Sequence, residues 1–178
     1  SVLMHQADDL KKISDQVHGI AKEIGNSIQL HSFQYRMQLL NASSESKLLC
    51  EKQQNTYHNY YIGNDSSKWA GGCRLFQSVT CKSIYPKTDI RYYSEGEHIK
   101  YDFILHAGAN TSKIVMQYQG PDRISIRDGN LIISTSVGDV IEQRPYCYQL
   151  DQQGKKMTVN CNYVLAGNKV YFRLGRYD

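Results

Sequence analysis

The segment Glu95–Gly96–Glu97–His98 places two carboxylates and an imidazole within four residues. Such a set can bind a metal weakly, but its glycine and the alternating residues on either side read better as a solvated hairpin turn. His58 with Asp65 and Asp102 with His106 are further acid–imidazole pairs. Neither comes with a nucleophile at a spacing that would make the imidazole its base. Gly71–Gly72 precedes Cys73, without the Lys-Ser of a phosphate-binding loop. No Gly-x-Ser-x-Gly elbow and no His-Glu-x-x-His helix occurs. The expectation is a chain with no catalytic residue, no cofactor and no metal.

Five cysteines stand at 50, 73, 81, 147 and 161, none in a Cys-x-x-Cys pair. Zinc-finger spacing is therefore absent, and the odd count leaves at least one thiol without a partner in the chain. Cys147 and Cys161 flank an expected hairpin and can face each other as a disulfide. Small buried thiols are an equally good reading. The run Asn64–Asp65–Ser66–Ser67–Lys68–Trp69 is the most distinctive polar segment. Asn64 or Asp65 suits a side-chain cap of a short turn, and Trp69 is expected to bury its ring and pin that turn to the core. A sugar-stacking indole is the competing role.

The elements that must carry these groups follow from periodicity. Leu10, Ile13, Val17, Ile20 and Ile24 recur at helical steps, with Asp8 and Asp9 at the positive end and Gly25–Asn26 as the stop. This predicts one amphipathic helix over 8–24. Beyond it the pattern turns to period two. Strands are predicted over 33–39, 99–105, 114–118, 124–126, 131–135, 140–149, 157–165 and 170–174, with tight turns at Asp128–Gly129–Asn130, 151–154 and Gly167–Asn168. Tyr101, Phe103, Ile114, Met116, Ile124, Ile126, Leu131, Ile133, Val159, Tyr163 and Phe172 are expected to face the core. Short turns without crossover helices point to a mainly β, antiparallel sandwich-like fold with one N-terminal helix. The expected division is a helical segment over 1–26 and a single β-rich domain over 27–178.

The 178 residues, 40% hydrophobic and 21% charged, suffice for a substantial core. The formal net charge of +4 comes from scattered Lys and Arg, which argues against a nucleic-acid partner. Fourteen Tyr against four Phe and one Trp fit Tyr-rich sheets, and also surfaces that bind. No run is long and apolar enough to span a membrane as a helix. The chain reads as a piece of a longer protein.

Several runs resemble one known family. Tyr60–Tyr61–Ile62–Gly63–Asn64–Asp65–Ser66–Ser67–Lys68–Trp69 resembles its "NYfiGNDpskW" motif, and Ser83 through Tyr93, with Tyr85, Pro86 and Asp89, resembles "nvYPGIDlvYY". Lys100–Tyr101–Asp102–Phe103–Ile104 resembles "leYDFvv". Gln119–Gly120, Asp128–Gly129–Asn130–Leu131, Pro145–Tyr146–Cys147–Tyr148–Gln149 and Gly175–Arg176–Tyr177–Asp178 continue the similarity in order. These motifs, from about Phe33 to Asp178, resemble the uncharacterised domain that precedes SBBP β-propeller repeats in large secreted bacterial proteins, many with type IX secretion signals. Lys87 stands where that family has Gly. Cys73, Cys81, Cys147 and Cys161 lie outside its pattern, as a local addition such as disulfides would. Its N-terminal "ENKGQ"-like segment is absent here. The resemblance implies an all-β fold and a secreted or cell-surface setting on the outer-membrane exterior, and it supplies no catalytic residues. Asn64, Asp65, Trp69, Tyr85, Pro86, Asp89, Tyr101 and Asp102 enter as structural motif residues.

The expected function is a non-catalytic structural or adhesive module within a larger assembly. Its expected partners are other domains of the parent chain or other cell-envelope proteins. The alternative is a carbohydrate-binding module that holds glycans through Trp69 and surface tyrosines.

Overall fold

The structure is a computed structural model that describes residues 2–17, 29–96 and 98–177. In chain order the elements begin with β1 (Val2–His5), α1 (Ala7–Val17), β2 (Ser32–Leu39), β3 (Lys47–Tyr60), β4 (Ala70–Tyr85), β5 (Thr88–Glu95) and β6 (His98–Leu105). They continue with β7 (Met116–Gln119), β8 (Arg123–Arg127), β9 (Asn130–Thr135), β10 (Gly138–Glu142), β11 (Cys147–Leu150), β12 (Lys156–Val159), β13 (Cys161–Ala166) and β14 (Lys169–Leu174). The protein is mainly β, antiparallel and sandwich-like, with one α-helix among the described residues. The chain forms two compact units, residues 1–40 with 114–178, and residues 41–113. The boundary expected at 26/27 lies outside the described residues.

The discontinuous unit holds a five-stranded sheet in the order β1-β2-β7-β14-β13, a three-stranded meander β10-β9-β8 and the hairpin β11-β12. Its core is built from Tyr35, Ile114, Met116, Tyr118, Leu131, Ile132, Ile133 and Val170. The hydroxyl of Tyr118, on β7, donates to Glu142 Oε1 at 2.7 Å, which joins the five-stranded sheet to β10 of the meander. Burial raises the Tyr118 hydroxyl's pKa, and the Glu142 carboxylate raises it further. Asp128 and Gly129 take φ of 51° and 81°, so the β8–β9 turn is one that needs two positive φ angles. Gly120, at φ 106°, lies so close to β2 that an added Cβ would stand 3.1 Å from the Gln34 carbonyl oxygen.

Of the residues expected in the core, Ile114, Met116, Leu131, Ile133 and Val159 are buried, and Tyr101, Phe103, Ile124, Tyr163 and Phe172 are half-buried. Ile126 is 40% exposed, because β8 is the edge of its sheet and Ile126 sits next to the turn. Two predicted strands are broken in two. Residues 143–146 separate β10 from β11 at Pro145, which cannot donate to a ladder, and Asn160 separates β12 from β13.

The N-terminal segment differs from expectation as well. A strand, β1, precedes the helix and pairs with β2 from Val2↔Tyr35 to His5↔Ser32. Leu10, expected inward, is exposed, whereas Asp9 is buried. Asp9 Oδ2 accepts from the backbone N–H of His31 and lies 2.9 Å from its Nδ1. These hydrogen bonds lower the Asp9 pKa and turn the helix so that its acid, not Leu10, faces inward. Ile20, Ile24 and the side chain of Val17 lie outside the described residues.

The contiguous unit is one antiparallel sheet in the order β3-β4-β5-β6. Leu48, Cys81, Ile90 and Phe103 fall in register across the sheet, as do Cys50, Val79, Tyr92 and Tyr101. The intervening rows mix polar and apolar residues, with Glu51 opposite Ser78, Leu49 and Arg91 opposite Thr80, and Ile104 opposite Asp89, and Ser78 and Thr80 are buried.

Candidate functional site

All eight motif residues singled out in the sequence fall in the contiguous unit, and they divide into three groups. The first lies at the far end of the β3–β4 hairpin. Pairing of β4 with β5 spans only Ser78 to Tyr85, so residues 53–60 and 70–76 run on as a two-stranded ribbon. No residue from 55 to 72 is buried. Gly63 takes φ of 74° to begin the turn, and Asp65 caps the short 3-10 turn Ser66–Lys68. Asp65 Oδ1 accepts from the Ser67 N–H at 3.1 Å and the Ser67 hydroxyl at 2.7 Å. Those bonds hold the Asp65 pKa below its ordinary value. Asn64 is exposed beside it.

The indole N–H of Trp69 donates to the Gly63 carbonyl at 3.1 Å, so the ring braces the turn. It does not enter a core: Trp69 is 44% exposed, because a two-stranded ribbon has no second layer to receive it. Tyr61 meets it edge-on, with centroids 5.5 Å apart and planes at 75°. Tyr57, Tyr60 and Ile62 are likewise exposed on this end of the ribbon. Gly72 donates its N–H to Asn59 Oδ1 at 2.8 Å where the register between the strands shifts.

The second group surrounds Asp89. Tyr85 is buried, Pro86 is exposed, and Asp89 is 3% exposed. The carboxylate takes Lys82 Nζ at 2.8 Å, the Ser83 N–H at 2.8 Å and His106 Nε2 at 3.0 Å. Ser83 reaches it because β4 bulges there, with φ of 55°. Burial alone would raise the Asp89 pKa, but the three donors and the Lys82 charge outweigh it and hold the pKa at about 2. Lys82 was not singled out in the sequence, and neither Ser83 nor His106 was linked there to Asp89. The available signal was Asp89 itself, an acid next to Ile90 at the start of its strand. Its imidazole partner is His106, which spacing alone had set beside Asp102 instead.

The third group, Tyr101 and Asp102, lies on β6. Tyr101 packs edge-on against Phe103 at 5.9 Å, and Asp102 accepts from the Tyr93 hydroxyl at 3.3 Å. Glu95 and His98 are cross-strand partners flanking the β5–β6 turn, where Gly96 has φ of 60° and Glu95 pairs with Lys100. Among the described residues no group of three or more His, Cys, Asp or Glu is placed to hold a metal. No helix among them is long and apolar enough to cross a membrane.

Cys147 and Cys161 lie in the discontinuous unit, where their thiols are hydrogen-bonded to one another. Close by, Tyr146 and Tyr148 are exposed, with rings 5.7 Å apart and tilted by 38°. Lys156 places its ammonium 4.1 Å from the Tyr148 ring.

A family model described as "Domain of unknown function (DUF7948)" matches residues 1–178. No curated protein and no solved structure matches the chain.

Proposed function

We propose, for a chain that belongs along its whole length to the DUF7948 family, a non-catalytic role as a structural or adhesive module of a secreted or cell-surface bacterial protein. The aromatic end of the β3–β4 ribbon is its contact element. One observation carries this reading: Tyr57, Tyr60, Tyr61, Ile62 and Trp69 are all exposed on a ribbon whose residues 55–72 build no core. Large apolar side chains in such a place contribute little to folding. The hydrogen bonds of Asp65 and Trp69 fix the turn in advance, so little order remains to be imposed when a partner docks. Aromatic anchors of this type dominate binding energy at protein interfaces. The secreted setting rests on the resemblance to the domain preceding SBBP repeats, and it makes other domains of the parent chain or cell-envelope proteins the partners.

The half-exposed, fixed indole of Trp69 also favours a second reading, stacking on one glycan ring. Tyr61 at 75° to it supplies no coplanar platform, which weighs toward a protein partner.

Binding of the labelled chain to isolated bacterial envelopes tests the reading. Saturable binding should weaken roughly tenfold or more in Tyr57→Ser/Ile62→Ser, the change that follows from losing about 1.4 kcal/mol of anchor contact, with the thermal midpoint unchanged. Equal binding by variant and parent, or no binding by the parent, would remove the proposal. Retention on protease-treated envelopes, or a glycan-array signal that vanishes in the variant, would transfer the role to sugar.

A further inference from the structure

We infer that Cys147 and Cys161 form a thiol–disulfide exchange site that closes to an intramolecular disulfide when it meets a small-molecule disulfide. Cys147 opens β11 opposite Val159, and Cys161 begins β13 just beyond the break at Asn160. The two thiols are therefore brought together where the β11–β12 hairpin joins the five-stranded sheet. Both line a solvent-open cleft of about 450 Å3, bordered by Arg144, Tyr146, Thr158 and Asn160.

Their situations differ in a way that assigns each a role. Cys161 is buried, whereas Cys147 is half-buried and faces the cleft. The Cys161 S–H donates to the Cys147 sulfur. That bond lowers the Cys147 pKa against the opposing effect of burial, while serving as donor raises the pKa of Cys161. Cys147 gives up its proton first and is the reachable nucleophile. Its thiolate attacks one sulfur of the incoming disulfide. The S–S bond of the reagent breaks, a mixed disulfide forms on Cys147, and one thiolate leaves. Cys161, as thiolate, then attacks the Cys147 sulfur, the Cys147–Cys161 bond forms, and the second thiolate leaves. Two electrons pass to the small disulfide, and the two cysteine protons end on the two released thiols. The product ties the hairpin that carries Tyr146 and Tyr148 to the first residue of β13.

The experiment treats the folded full chain with oxidised glutathione, alkylates remaining thiols and maps the peptides. The expected result is a peptide pair joined through Cys147 and Cys161, two hydrogens lighter than the thiol pair, with two glutathione molecules released per chain. Cys161→Ser should stop at a stable glutathione adduct on Cys147. A lasting adduct on Cys147 in the parent chain would overturn the inference. So would alkylation of Cys147 and Cys161 to the same extent as before treatment, or a bond from either to Cys50, Cys73 or Cys81. The parent-chain readings decide the matter even where the Cys161→Ser variant does not fold.

Discussion

The Asp89 carboxylate and the His106 imidazole, 17 residues apart in the chain, meet at 3.0 Å across the β5–β6 pair. Asp89 is the hub of this end of the sheet: the same carboxylate also takes Lys82 and the N–H of the bulged Ser83. Removing it leaves three donors without their acceptor. Asp89→Ala should therefore cost about 2–4 kcal/mol. Urea denaturation of the variant reads this directly, and a midpoint equal to the parent's would show that the hub contributes nothing.

The same carboxylate sets an acid limit. Its pKa is about 2 in the fold against an ordinary 3.8, so folding favours the charged form. The stabilisation is complete above the unfolded value, near pH 4, and is lost as pH falls through the folded value toward 2. Lys82 and His106 are each about half exposed, and solvent screening reduces the contribution to on the order of 1 kcal/mol. Parent stability should drop between pH 4 and 2 more steeply than that of Asp89→Asn, whose side chain does not titrate. Parallel slopes for the two proteins would rule out Asp89 as the source.

Two isoleucines on neighbouring strands of the meander should behave oppositely. Ile133 is fully buried at the centre of its sheet, and Ile133→Ala should cost about 2–5 kcal/mol. Ile126, on the edge strand, should cost about 1 kcal/mol or less on the same change. Thermal midpoints of the two variants check the pair, and equal losses would mean that the register of β8 on β9 differs from Ile126↔Leu131.

Tyr118→Phe removes one hydroxyl from the core and the bond it donates to Glu142 at 2.7 Å. The loss should be about 1–3 kcal/mol, because the acceptor is a carboxylate. Chemical denaturation measures it, and an unchanged free energy would show that Glu142 is satisfied without Tyr118.

Why some strands are readable from sequence and others are not follows from what covers them. β6, β7 and β14 have one covered and one wet face, so Tyr101/Phe103, Met116/Tyr118 and Val170/Phe172 alternate with polar residues and reveal their strands. In the ribbon of β3 and β4, Gln53, Gln54, Asn55, Thr56 and Tyr57 have no covered face, and no alternation marks them. Ile132 fails the rule from the other side: it is buried along with Leu131 and Ile133, so period two disappears in β9 as well. The cap at Asp65 is a local matter of a few residues and was legible. The Asp89 hub was not, because Lys82 and His106 reach it only through strand pairing that a linear pattern does not encode.

Chain order gives the two units unequal prospects during synthesis. Residues 41–113 are contiguous, and their sheet is a plain meander, each strand pairing with the next. Loops that short close quickly. β2, by contrast, needs β7: Met37 pairs with Tyr118 and Leu39 with Met116, and at the root of that ladder the Leu40 N–H donates to the Val115 carbonyl at 2.9 Å. When the ribosome has released the first forty residues, their partner strand does not yet exist. The N-terminal segment has to wait, with Phe33, Tyr35 and Met37 unsheltered, while the whole meander is made. The vulnerable interval in the life of this protein is thus fixed by where β7 falls in the message, and a ribosomal pause before Met116 would lengthen it.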